Sequence, residues 1–134
     1  MLSLGEHWER RKIVKRLQKS SEMRIYCDSS VKEACLVING YPSILPYNER
    51  VTSNEGEYIA VIVALKTAKE LDLEDNVEIL TDSELVVKQL SGEYKCRATN
   101  LIPYNLVAKR LIEEIGAVVS WVSREENPAG KELE

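Results

Sequence analysis

Histidine occurs once, at His7, close to the start of the chain. A histidine-based triad or a histidine-ligated metal site in the body of the protein is thereby excluded, and any chemistry must run on carboxylates. Cysteine is scarce too: Cys27, Cys35 and Cys96 are odd in number, widely spaced and without a CxxC pair. That pattern argues against a disulfide framework or a zinc site, and for reduced thiols in a cytoplasmic protein. Long apolar runs are also missing. The longest, Tyr58 to Leu65, falls far short of the ~20 residues that span a bilayer, so no membrane association is expected. The opening Met1 to Leu4 turns polar at Glu6, unlike a signal peptide. No internal repeat or low-complexity tract is present. What remains is the make-up of one globular domain: 134 residues, 44% hydrophobic and 30% charged, enough to bury a core without staples.

Charge divides the chain. The net charge is −4, which at first speaks against a nucleic-acid partner. Six cations (Arg10, Arg11, Lys12, Lys15, Arg16, Lys19) against three anions (Glu6, Glu9, Glu22) give residues 1–22 a charge of +3, leaving −7 for residues 23–134. An acidic body is compatible with nucleic acid where its carboxylates surround bound cations. Trp8, Ile13, Val14 and Leu17 fall at helical spacing, so residues 1–22 read as an amphipathic helical extension. Its face suits packing on the domain, a homodimer or protein partner, or a phosphate backbone gripped by Trp8 and the cations.

Residues 23–134 read as one domain. Met23 to Asp28 is a strand ending on an acid, and Glu33 to Asn39 a second strand closed by the hairpin pair Asn39-Gly40. A third strand is expected within Ser43–Val51, at a sheet edge because of Pro42 and Pro46. The period then changes. Asn54 to Leu71 reads as a helix, with Thr52 and Glu55 at capping-box spacing and Asn54 as a competing cap. Asn76 to Thr81 is a fourth strand, and Asp82 to Leu90 a short helix, with Thr81 and Glu84 again at capping-box spacing. Asn100 to Ile115 is a helix with Pro103 in its first turn, and Ala117 to Val122 a fifth strand. Pro128–Glu134 is a short helical stub. The fold class that follows is α/β, a five-stranded mixed sheet flanked by helices: three antiparallel strands, then parallel strands joined by right-handed crossovers.

Three carboxylates stand out by position. Asp28 ends the first strand, Asp82 follows the fourth directly, and Glu57 lies in the first turn of the long helix. If the first and fourth strands are parallel neighbours, both aspartates project at the carboxyl ends of the sheet, where open α/β folds bind ligands. Three converging carboxylates repel one another unless a cation offsets them, and hard Mg²⁺ or Mn²⁺ prefers oxygen ligands. Each acid alone has a plainer role: Asp82 as a helix N-cap, Glu57 as a partner of the helix dipole, Asp28 as a turn residue.

The segments Ile25 to Ser30, Thr52 to Ala60 and Ile79 to Val87, with Thr81-Asp82-Ser83 between a strand and a helix, resemble type 1 ribonuclease H. More narrowly, they are similar to the ribonuclease H-like domains grouped with reverse transcriptases. Trp121 to Asn127 resembles the family's last strand and following loop. The likeness spans about residues 23–131. It implies a ribonuclease H-like fold, two Mg²⁺ or Mn²⁺ ions, hydrolysis of the RNA strand of an RNA–DNA hybrid, and Asp28, Glu57 and Asp82 as the first three catalytic and metal-binding acids. Asn54 is then a candidate donor to 2′-hydroxyls, and Lys95 and Arg97 are candidates for phosphate contacts. Several positions depart from the family pattern. Ser29 replaces the glycine after the first aspartate, and Ser91 to Arg97 stands where some members carry a basic insertion. No histidine occupies the late loop. The fourth acid, four residues after Asn127, falls on Lys131, or on Gly130 if the alignment slides by one. Glu134, one turn beyond Lys131, is the candidate substitute metal ligand, and Glu132 the poorer one because the helical period turns it away. Two functions follow: a metal-dependent endonuclease, favoured by the intact trio, and a non-catalytic module binding nucleic acid or protein, favoured by Lys131.

Overall fold

The computed structural model describes residues 23–72 and 76–134. The amphipathic extension expected over residues 1–22 lies outside the described residues.

Five strands form one sheet: β1 (Met23–Ser29), β2 (Glu33–Ile38), β3 (Tyr41–Pro46), β4 (Val77–Thr81) and β5 (Val118–Trp121), in the order β3-β2-β1-β4-β5. β1 pairs antiparallel with β2, and β2 with β3, whereas β4 runs parallel to both β1 and β5. The β2–β3 turn puts Asn39 and Gly40 at φ of 52° and 81°, the left-handed region in which an Asn-Gly pair is tolerated. β3 therefore starts straight after the turn rather than within Ser43–Val51, and both of its prolines sit inside it. It can hold them because it is an edge.

Among the described residues four α-helices accompany the sheet: α1 (Ser53–Glu70), α2 (Glu84–Ser91), α3 (Ile102–Ile115) and α4 (Pro128–Glu132). Thr52 caps α1 through the Glu55 amide, and the Glu55 carboxylate accepts from the Thr52 amide at 2.9 Å, so the capping box forms and Asn54 does no capping. At α2 the cap is Ser83, which accepts from Val86 N; Thr81 accepts only from Ser83 N. The Thr81–Glu84 box is thus not used, and Asp82 is released from capping. α3 carries its proline in the first turn and ends on Gly116 at φ 68°.

Alternation in the strands sorts the sheet's faces. Ile25, Cys27, Leu36 and Ile79 join Tyr58, Val61, Leu65 and Ala108 in the main core under α1 and α3, while Cys35 and Val37 pack with Ala129 on the other face, under α4. The main core contains one polar hub. The buried Tyr58 hydroxyl donates to Gln89 Oε1 at 2.7 Å and accepts from Asn105 Nδ2 at 3.0 Å, tying α1 to α2 and α3. Tyr58→Phe would strand the Gln89 and Asn105 amides in the core, each a donor or acceptor that water cannot reach. The expected cost is ~1–3 kcal/mol, read as a lower midpoint in urea unfolding with an unchanged slope.

Candidate active site

The parallel pairing of β1 and β4 sets Cys27 beside Thr81, so Asp28 and Asp82 leave adjacent strands at the same end of the sheet. Gly56 brings in the third acid. A Cβ on that residue would fall on the Ser29 hydroxyl and 3.1 Å from the Ser30 carbonyl oxygen, so only glycine lets α1 come so close to the end of β1. Ser29 holds the junction by donating to Ser30 O at 2.6 Å and sharing a 2.7 Å hydrogen bond with the Tyr47 hydroxyl. Ser29 thus works as a bracket between β1 and the start of α1 through Tyr47, whose hydroxyl lies 3.4 Å from the Gly56 carbonyl oxygen. Glu57, one residue past Gly56, begins the second turn of α1.

The result is a cluster in which ligand oxygens of Asp28, Glu57 and Asp82 all lie within 4.8 Å of one another. They line a cleft of about 240 Å³ with Ser29, Ser53, Arg124, Gly130 and Glu134. Crowding marks the electrostatics. Burial, then the charge of Asp28 and contact with it, then Asp82, push the Glu57 carboxyl up to about 9, and the Arg124 guanidinium draws it back in part. Burial and Asp28 also raise Asp82, against the Asn127 hydrogen bond and Arg124. The Cys27 thiol beneath is raised well above its usual value by burial and the same three carboxylates, so it stays protonated and inert. Among the described residues, Glu57 Oε2 is a buried side-chain oxygen with no hydrogen-bond partner. An orphaned carboxylate oxygen facing two more carboxylates is the donor set of a hard divalent cation, and the residues present fit Mg²⁺ or Mn²⁺.

Two residues not singled out for the site support it. Asn127 is fully buried; its amide donates to the Cys27 carbonyl at 3.0 Å and to Asp82 Oδ2 at 3.2 Å, while its Oδ1 caps α4 through Ala129 N. One side chain therefore ties α4, β1 and Asp82 together. Asn127→Ala would remove a helix cap and leave a buried carbonyl unpaired, an expected loss of ~2–4 kcal/mol that thermal unfolding would show. Arg124 is the cation of the cleft. Proximity to the last motif was the only sequence signal for either residue, because their contacts are long-range.

The remaining candidates are scattered. Asn54 is exposed on the first turn of α1. Lys95 and Arg97 are exposed and line a separate groove of about 450 Å³ with Tyr94, Cys96, Leu106 and Lys109. Glu134 lines the acidic cleft just past the end of α4, outside the three-acid cluster, while Glu132 lines a groove on the other side of α4. The place expected for Lys131 is corrected. Ala129 is the residue of α4 buried against the sheet, which turns Gly130 to the cluster and Lys131 to solvent. A Cβ on Gly130 would stand 2.9 Å from Asp28 Oδ2 and 3.9 Å from Asp82 Oδ2. Of the two positions the sequence offered for a fourth acid, it is therefore the bare Gly130 that faces the cluster, while Lys131 is exposed.

Sheet order, crossovers and acidic cluster together define a ribonuclease H-like domain. The chain belongs to the reverse transcriptase-like family, whose description matches residues 41–133. It is 33% identical over 79 residues to a bifunctional protein of Mycobacterium tuberculosis, a stretch covering 58% of this chain but 21% of that protein. It is 36% identical over 63 residues to ribonuclease HI of Halobacterium salinarum, covering 47% of this chain and 31% of the relative. The crystal structure of the Halobacterium salinarum RNase H1 superposes with a TM-score of 0.71 at 26% identity over 83% of this chain and 92% of the other. LC11-RNase H1, solved in complex with an RNA/DNA hybrid, superposes with a TM-score of 0.72 at 26% identity, covering 84% and 93%.

Proposed function

We propose that this protein is a divalent-metal-dependent endonuclease that hydrolyses the RNA strand of RNA–DNA hybrids. The observation that carries the reading is the convergence of Asp28, Glu57 and Asp82 around an unpartnered Glu57 oxygen. Likeness to a protein solved with an RNA/DNA hybrid supports the substrate. Asp28, Glu57 and Asp82 would hold two ions, with Glu134 a further ligand from the cleft wall. Bound there, the ions would supply an activated water and stabilise the leaving oxygen of the phosphodiester. The chain's own residues do the rest. Arg124 offers charge-assisted hydrogen bonds to a phosphate entering the cleft. Asn127 occupies one oxygen of Asp82 and so fixes its orientation. Asn54, exposed on the first turn of α1, would meet 2′-hydroxyls and so tell RNA from DNA. Lys95 and Arg97, with Lys109 in the same groove, would take phosphates at a distance from the cut. A reducing cytoplasm suits Cys27, Cys35 and Cys96, all of them free thiols.

Gly130 favours one alternative, a ribonuclease H-fold module that binds the hybrid without cutting it. A hybrid labelled on each strand separates the two readings, with RNA–RNA and DNA–DNA duplexes as controls. Cleavage of the RNA strand alone, in Mg²⁺ or Mn²⁺ and lost in EDTA, is the expected result. A hybrid that is bound but left intact with both metals would establish the module instead.

A further inference from the structure

Trp121 is the largest side chain left open beside the acidic cleft. It ends β5 at 53% exposure, and its indole Nε1 donates to the Asp82 backbone oxygen at 3.3 Å. The ring is thereby held against the strand end that carries a site carboxylate. Beside it lies a slot of about 310 Å³, walled by Trp121 and Val87 and by the stem of Lys88, with Glu84 and Glu93 at its rim. The Lys88 ammonium is already engaged. It pairs with Glu84 at 2.7 Å, donates to the Tyr94 hydroxyl at 3.3 Å and lies 4.9 Å from the centre of that ring. These contacts hold the lysine stem as a fixed wall and leave no cation free to draw in a phosphate.

We infer that this slot is a stacking site for one unpaired nucleobase, flanking the hybrid bound in the cleft. The inference rests on the hybrid reading above and adds a subsite to it. An indole face fixed at its nitrogen edge gives a flat surface for any base. Glu84 is neutralised by Lys88, which leaves the Glu93 carboxylate to repel the sugar–phosphate chain and to accept from the exocyclic amino group of adenine or cytosine. A base inside a duplex has both faces covered by its stacked neighbours and cannot lie on the indole, so the occupant is the first nucleotide of a single-stranded flank. The slot's size suits one base and its sugar, and its contact with Asp82 places that flank next to the scissile strand.

The test uses full-length protein carrying Trp8→Phe, so that Trp121 is the sole indole. Four probes are titrated in Ca²⁺: a blunt RNA–DNA hybrid, the same hybrid with a short single-stranded adenosine tail at the 5′ end of the RNA, the same with the tail at the 3′ end, and the adenosine tail alone. The tailed hybrid with one of the two polarities should quench Trp121 emission and bind about ten-fold tighter than the blunt one. Val87→Glu, which fills the slot from α2, should abolish the gain and leave blunt-hybrid affinity unchanged. Equal binding of tailed and blunt hybrids, without a tail-dependent quench, would overturn the slot while leaving the hybrid reading intact. A tail that quenches Trp121 in a protein that ignores the blunt hybrid would uphold the slot and remove the hybrid reading.

Discussion

Replacing Glu57 with glutamine should cut metal-dependent cleavage of the hybrid by at least ~10³-fold, because several kcal/mol of charge stabilisation leave with the ligand and each ~1.4 kcal/mol is a factor of ten. The same change should make the metal-free protein more stable, which sets it apart from ordinary damage to a site. Glu57 is protonated in the folded state up to about 9, whereas an unfolded glutamate loses its proton near 4.5. Below the lower value both states hold the proton and the group costs nothing. As pH rises between the two, the unfolded chain sheds a proton that the fold retains, and stability drains away until the higher value is passed. The wild type without metal should therefore lose melting temperature steadily from acid to mildly alkaline pH. Glu57→Gln should flatten that slope and melt a few degrees higher at pH 8, since about 1 kcal/mol moves the midpoint of a domain of this size by ~3–5 °C. Scanning calorimetry in EDTA across that range checks both statements. An unchanged slope in the variant would mean that another group, not Glu57, carries the uptake.

Gly130→Asp should strengthen metal binding and raise Mg²⁺-dependent cleavage on the order of ten-fold, while Lys131→Asp should leave both within two-fold. The asymmetry follows from α4: with Ala129 against the sheet, position 130 meets Asp28 and Asp82, and position 131 meets water. Gly130→Ala is the control for bulk without charge: its Cβ would stand 2.9 Å from Asp28 Oδ2 and press that carboxylate aside, so it should not raise metal affinity. Calorimetric titration with Mn²⁺ reads affinity directly. A rise with Lys131→Asp and none with Gly130→Asp would reverse the assignment of the helix face.

Position 130 also shows where sequence reading reaches its limit. Strand alternation, the Asn39-Gly40 turn, the capping box at Thr52 and the three acids were all legible, because each depends on residues close in sequence or on a period that a face imposes. Counting from Asn127 to the fourth acid was not. The count left positions 131 and 130 both open, and which residue of a short helix faces the site is set by burial of Ala129 against Cys35 and Val37, ninety-odd residues away in sequence. The cap at Ser83 was misjudged for a related reason: Thr81 and Ser83 offer the same chemistry, and only the geometry at the end of β4 selects between them. Asn127 and Arg124 were read as part of the last motif without a role of their own, since their partners, Cys27, Asp82 and Glu57, come from other segments of the chain.

The edge strand β3 has a consequence beyond the site. It exposes Tyr41, Ile44 and Leu45, an apolar border that would invite a second chain. Tyr47 N donates back to Lys32 O, so odd-numbered amides along this border turn inward to β2 and even-numbered ones turn to solvent. Two of the three even positions in β3 are Pro42 and Pro46, which have no amide hydrogen. Only Ile44 can offer an outward donor, too few to template a growing ladder. The border is sticky by composition yet offers another strand almost no donors, the arrangement by which edge strands discourage edge-to-edge pairing.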